Sequence, residues 1–193
     1  MSKSEPASKN ERRKNIKWVI TIFLVTIIVS GIISFVSDEV MSDSGMIVAF
    51  FILFIIVLIG ILFDVIGVAV TSADESPFHS MAARKVPGAQ EAIRLLRKAE
   101  RVSSICNDVI GDICGVISGS AAATISVQLI ENFTFSWRSM ISLVMSALVA
   151  GITVGGKAIG KGFAVNSSTK IVYFVGKVIY SLGKIPNFFH RKR

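Results

Sequence analysis

Residues Ile47 to Val70 read IVAFFILFIIVLIGILFDVIGVAV, an apolar run broken by a single charge, Asp64. A helix needs roughly 20 apolar residues to cross the hydrocarbon core of a bilayer. This stretch exceeds that length, so the sequence predicts a membrane-spanning helix here. A carboxylate at membrane depth costs about +2.5 to +3.5 kcal/mol on insertion scales. Such groups persist where they face a bundle interior or a wet cavity. Asp64 is therefore the first pointer to function.

The whole chain agrees. It has 193 residues, 52% hydrophobic, with a mean hydropathy of +0.65, which places it in the membrane class. Three more segments can span: Trp18 to about Val36, about Ser104 to Ile130, and about Ser139 to Gly155. The third is rich in small residues, which suits a bundle interior better than a lipid face. The first follows Arg12, Arg13, Lys14 and Lys17 as a signal peptide would. No small-residue cleavage site follows it and its apolar part is too long, so an uncleaved helix is expected.

Charge orients the spans. Lys and Arg number six in residues 1–17, six in 73–103 and eight from Lys157 onward, leaving Arg138 alone in the other loops. The first of those loops, Ser37 to Asp43, carries acids alone. The positive-inside rule then predicts four crossings with both termini in the cytoplasm of a plasma-membrane protein. The net charge of +8 sits beside spans, so anionic lipid headgroups are the expected partner and nucleic acid is not.

Residues 1–16 are polar and basic and are expected to be disordered, with an N-terminal helix over 17–37. After the second span, Ser76-Pro77 suits a first helical turn. A short helix to about Lys85, a break at Val86-Pro87-Gly88 and a second helix from Ala89 to Lys98 form a pair beneath the membrane. Tethering at both ends argues against a DNA-binding helix-turn-helix. From Lys170, an apolar stripe with Lys170, Lys177 and Lys184 every seven residues predicts an amphipathic interfacial helix ended by Pro186, then a basic tail over 186–193. A fifth crossing would put Lys177 at mid-membrane. The fold class is thus all-α integral membrane: four transmembrane helices, a cytoplasmic juxtamembrane pair and a C-terminal interfacial helix. No internal repeat is evident.

The third span adds Asp108 and Asp112. Four residues apart, they stack on one α-helical face, continued by Gly115 and Gly119, with Asn107, Gly111 and Ser118 beside it. On the second span Asp64, Gly67 and Thr71 share a face, with Ser72 next to it. Together these faces offer only oxygen donors, a set suited to hard cations such as Mg²⁺. Structural pairing of the acids with bases such as Arg101 or Lys157 is the alternative. For the glycines, close helix packing competes with ligation. Cys106 and Cys114 form no metal or disulfide motif with His79 or His190 and read as small packing residues. There is no GxSxG, P-loop or HExxH motif, so no enzyme is expected.

The order of these features resembles the transmembrane domain of the CNNM/CorC family of magnesium transporters. The resemblance runs over residues 46–185. It is carried by Ala69-Val70-Thr71-Ser72 at the end of a span, the helix pair, then Leu95-Leu96 and Glu100-Arg101-Val102, and finally Gly156 to Lys161. It implies a homodimer moving Mg²⁺, by analogy outward and coupled to sodium, through a cavity open to the cytoplasm. Asp64 falls at a family serine. Asp108, Gly111 and Asp112 lie near a family Ile-Gly-Asn segment, with Asn107 placed to orient waters. Thr71 and Ser72 fall where they would modulate the site. Lys157 falls where the family keeps a glutamate, and Gly160 where it keeps a proline. This base facing a new acid allows a Lys157–Asp64 ion pair in the cation's place. The chain would then be a non-transporting scaffold or accessory subunit. The N-terminal span is additional to the family's three, and the nucleotide-binding CBS domains that usually follow do not occur in these residues, so regulation by that route is not expected.

The orientation is testable by labelling. In a background with Cys106 and Cys114 replaced by alanine, a cysteine at Ser42 is expected to react with an impermeant maleimide outside intact cells. A cysteine at Ser76 is expected to react only after permeabilisation, and the reverse pattern would invert the topology.

Overall fold

The computed structural model describes residues 9–42, 45–132 and 138–190. All regular structure among them is helical: α1 (Lys9–Ser42), α2 (Met46–Ser72), α3 (Ser76–Ala83), α4 (Ala89–Leu96), α5 (Ala99–Ser104), a π-helical segment (Ile105–Gly111), α6 (Asp112–Asn132), α7 (Arg138–Asn166) and α8 (Ser168–His190). Four stretches are long and apolar enough to cross a membrane: Ile16–Ser37, Met46–Ser72, Ala99–Ile130 and Met140–Asn166. They match the four spans read from the sequence. The third passes through α5, the π segment and α6.

Helix α2 is the hub, packing on α6, on α7, on the π segment and on α8. Its buried residues recur at Ala49, Leu53, Val57, Gly60, Asp64 and Gly67, the spacing of one helical face. The outer part of that face joins Ala121, Ala122, Ile125 and Val149 in one apolar cluster. The inner end, Ala69 and Val70, joins Phe78, Ala92, Ala164 and Val172 in another. Asp64 lies between the two clusters.

Helix α1 leans on the third span through Ile22 and Val29, which pack on Val109, Ile113 and Ile117. Trp18 lies under the Arg101 guanidinium at 5.2 Å, tying α1 to α5 by a cation–π contact. Many of its apolar side chains between Ile16 and Val36 are exposed, Phe23, Ile28 and Phe35 included, as a lipid-facing helix requires.

Three details differ from the sequence reading. Helix α1 begins at Lys9, inside the stretch expected to be disordered; residues 1–8 and 191–193 lie outside the described residues. Helix α7 does not end near Gly155 but runs on through Gly156, Gly160 and Gly162 to Asn166. Each glycine costs about 1 kcal/mol relative to alanine. Here close packing offsets this: Gly156 and Gly160 lie against Ile61 and Val65 of α2, where a Cβ would collide. Helix α8 continues past Pro186 to His190. A proline removes one backbone bond and crowds the preceding turn, which kinks a helix without having to end it.

Helices α3 and α4 pack against each other. Glu75 fastens it, its Oε1 accepting a hydrogen bond from Arg97 Nε at 3.1 Å and lying 3.1 Å from His79 Nε2. The connecting turn places Gly88 at φ +87°, a conformation open to glycine at little cost. There α4 crosses α8 at near backbone contact. A Cβ on Gly88 would lie 2.7 Å from Lys177 Cα, and one on Gly176 would lie 2.6 Å from the Gly88 carbonyl oxygen. Gly176→Ala is therefore expected to cost ~1–3 kcal/mol by overpacking. Gly183→Ala, with open space around it, is expected to be near neutral. Thermal unfolding in detergent separates the two, and equal midpoints would show that the crossing is not tight.

Candidate functional site

The site begins with Asp64, 5% exposed and eight residues before the end of α2, on the order of 12 Å along the axis. Its Oδ1 lies 4.0 Å from Lys157 Nζ, the outer edge of an ion pair. Its Oδ2 is buried and has no hydrogen-bond partner. A buried acceptor without a donor pays the desolvation penalty of that group with nothing returned.

Facing α2 is the π-helical segment, where backbone bonds run i→i+5 and the turn is widened by one residue. Such turns are rare and recur at functional sites. The segment delivers Asn107 against Gly67, where a Cβ would collide with the Asn107 amide oxygen. Asn107 Nδ2 donates to Ser103 Oγ at 3.2 Å, which leaves Oδ1 pointing into the helix interface. That oxygen too is buried and has no partner. At the end of the segment, Gly111 leaves room for Lys157. A Cβ there would stand 3.4 Å from both Lys157 Nζ and the Cys106 carbonyl oxygen. Two orphaned acceptors and an ammonium thus share the α2, π and α7 junction.

On the far side of Lys157 lies a groove of about 510 Å³ between α6 and α7. Asp112, Ser118, Ser146 and Thr153 line it together with Lys157. Asp112 is exposed. Ser118 donates back to the Gly115 carbonyl at 2.9 Å, and Thr153 to the Val149 carbonyl at 2.7 Å, so both hydroxyl oxygens keep free acceptor capacity toward the groove. Lys157 stands between this groove and Asp64.

The acids expected to act together are divided between the buried junction at Asp64, the groove at Asp112 and the exposed surface at Asp108. Asp64 and Asp112 lie on either side of Lys157. Asp108 is exposed, accepts a hydrogen bond from Ser104 Oγ at 2.8 Å, and is not among the groove residues. Asp108 and Asp112 are both exposed, and the residues that follow them, Val109 and Ile113, pack on one apolar cluster, so the four-residue spacing holds across the π segment. Among the described residues no three of His, Cys, Asp and Glu gather into a metal-holding group. Thr71 is exposed and spends its hydroxyl on the Val68 carbonyl at 2.9 Å; Ser72 is exposed at the helix end. Cys106 is buried and Cys114 packs against Gly60, both as free thiols.

The sequence reading missed Ser146 and Thr153. With Ala150 and Lys157 they repeat at spacings of four, three and four, one face of α7, so helical periodicity was a signal for them. No family model matches the chain, and neither does any curated protein.

The Gly67–Asn107 contact can be tested alone. Gly67→Ala is expected to destabilise by ~1–3 kcal/mol through overpacking. Asn107→Ala in the same chain is expected to recover most of that loss, because the colliding atoms are gone. Purely additive costs would place the two helices further apart than described.

Proposed function

We propose that this chain is a membrane transporter that binds and moves Mg²⁺, with related divalent cations as further substrates. It would act as a CNNM/CorC-like homodimer in the plasma membrane, both termini cytoplasmic, its basic flanks on anionic headgroups. The observation that carries the reading is the pair of buried, unpartnered oxygens, Asp64 Oδ2 and Asn107 Oδ1. Both are acceptors, and a junction rich in acceptors and poor in donors favours a cation. Magnesium keeps several of its waters and is held through one or two carboxylates. A single buried Asp64, an amide oxygen from Asn107 and a groove holding Asp112 fit that mode without a dense cluster of acids. Gly111 supplies the space beside them, and Asp108 lies at the exposed edge, toward incoming ions. The fold analogy points to efflux with Na⁺ as coupling ion.

The second reading is a scaffold or accessory subunit that keeps the fold without transport. Its support is Lys157 Nζ at 4.0 Å from Asp64 Oδ1, a base beside the acid the ion would need.

Mg²⁺ flux into liposomes distinguishes the readings. The parent is expected to exceed empty liposomes, with Asp64→Asn abolishing flux and Asp112→Asn reducing it. Equal flux in all three, or none above background in the parent, sinks the transport reading and leaves the scaffold.

A further inference from the structure

Lys157 has two acids within its compass and only one is engaged. On the buried side it faces Asp64 Oδ1 at 4.0 Å. On the open side it lines the groove that holds Asp112, and a Cβ on Gly111, next to Asp112 in the chain, would stand 3.4 Å from its ammonium. Its side chain is 22% exposed against 7% for Asp64, so the tip of the lysine is at the boundary between the two compartments. The 4.0 Å separation is longer than the about 2.7–2.9 Å of a close charge-assisted bond. The lysine is held by charge and not latched.

We propose that Lys157 is a tethered, exchangeable cation that hands over between Asp64 and Asp112. This rests on the reading of the junction as a divalent-cation site. At rest the ammonium occupies Asp64 and keeps the buried carboxylate compensated. When a partly hydrated divalent cation reaches Asp64 Oδ2 and Asn107 Oδ1, the lysine swings to Asp112 on the groove side. No bond forms or breaks; one cation replaces another at Asp64. Charge explains why the exchange is needed. With Lys157 in place the two acids and the lysine carry one net negative charge, which a monovalent ion neutralises. A divalent ion at Asp64 beside an unmoved ammonium would put two cationic groups on one buried carboxylate. Asp112 gives the displaced ammonium a place to go.

The device makes three residues interdependent in a way that simple ligation does not. Mg²⁺ binding to the full-length protein in detergent, by titration calorimetry, reads it. Lys157→Gln is expected to tighten apparent binding about tenfold, because a competing state is removed. Asp112→Asn is expected to weaken binding in the parent but to have no effect in the Lys157→Gln background. Additive effects would make Asp112 a direct ligand and overturn the handover. Equal affinity for the parent and Lys157→Gln would show that the lysine does not compete. Absence of binding in every variant would overturn the cation reading itself, and the handover with it. Reductive methylation of the unmodified chain, read by mass spectrometry, covers the case in which Lys157→Gln does not fold. Labelling of Lys157 is expected to accelerate when Mg²⁺ is added, and an unchanged rate overturns the proposal.

Discussion

One buried carboxylate sets the terms for the rest of this protein. Asp64 stands on the most apolar helix of the chain, between two clusters of aliphatic and small side chains. In such surroundings an uncompensated charge is expensive, and removing one partner of a buried pair costs far more than replacing both. Lys157 supplies the compensation from α7. For it to arrive there, α7 must approach α2 closely and stay helical well beyond its most apolar part. Gly156 and Gly160, flanking Lys157, allow the approach by offering no side chain to Ile61 and Val65. The glycines that weaken α7 as an isolated helix are the residues that bring its lysine to Asp64.

The same constraint accounts for the π turn. The third span must meet α2 opposite Asp64 and Gly67, yet also present a packing face to α1 and another to α7. A regular α-helix repeats one angular step throughout. Across the π turn over Ile105–Gly111, Val109 and Ile113 face Ile22 and Val29 while Asn107 is turned to Gly67. The cost is an amide oxygen left without a donor. Strain of this kind, and polar atoms left unsatisfied, persist where surrounding structure enforces them and something is gained in return.

The spans, the helix pair and Asp64 were legible in the sequence because each rests on local information: run length, a proline at a helix start, a charge inside an apolar run. The geometry of the candidate site was legible only in outline. Spacing placed Asp108 and Asp112 on one face, but periodicity does not say which neighbour a face meets, and nothing in Ile105 to Gly111 announces a π turn. Its cause is tertiary, the need to satisfy three neighbours at once. Ser146 and Thr153 were readable from their period with Lys157, but a hydroxyl on a span usually bonds its own backbone, as both Ser118 and Thr153 do, and so gives little signal. Pro186 misled for the opposite reason. A local rule was applied where a helix docked along α4 and α2 is held by more than its own backbone bonds.

The layout also constrains which way selectivity can arise. A rigid cage of acids would favour a divalent ion by charge alone. Here the acids are divided by a lysine, and the other unpartnered oxygen at the junction is the Asn107 amide oxygen. Under the proposed handover, a monovalent ion would join this layer while the lysine stays put, whereas a divalent ion would gain fully only when the lysine moves off Asp64. Selectivity then depends on the free energy of moving one ammonium between two carboxylates of unequal burial. Water reaches the groove side more readily than the Asp64 side, so the ammonium gains hydration as it leaves and loses the stronger low-dielectric attraction. Near balance between those two terms is the condition under which a modest ion gradient shifts the equilibrium. In that handover Gly111, where a Cβ would stand 3.4 Å from the ammonium, would keep the path between the two acids open.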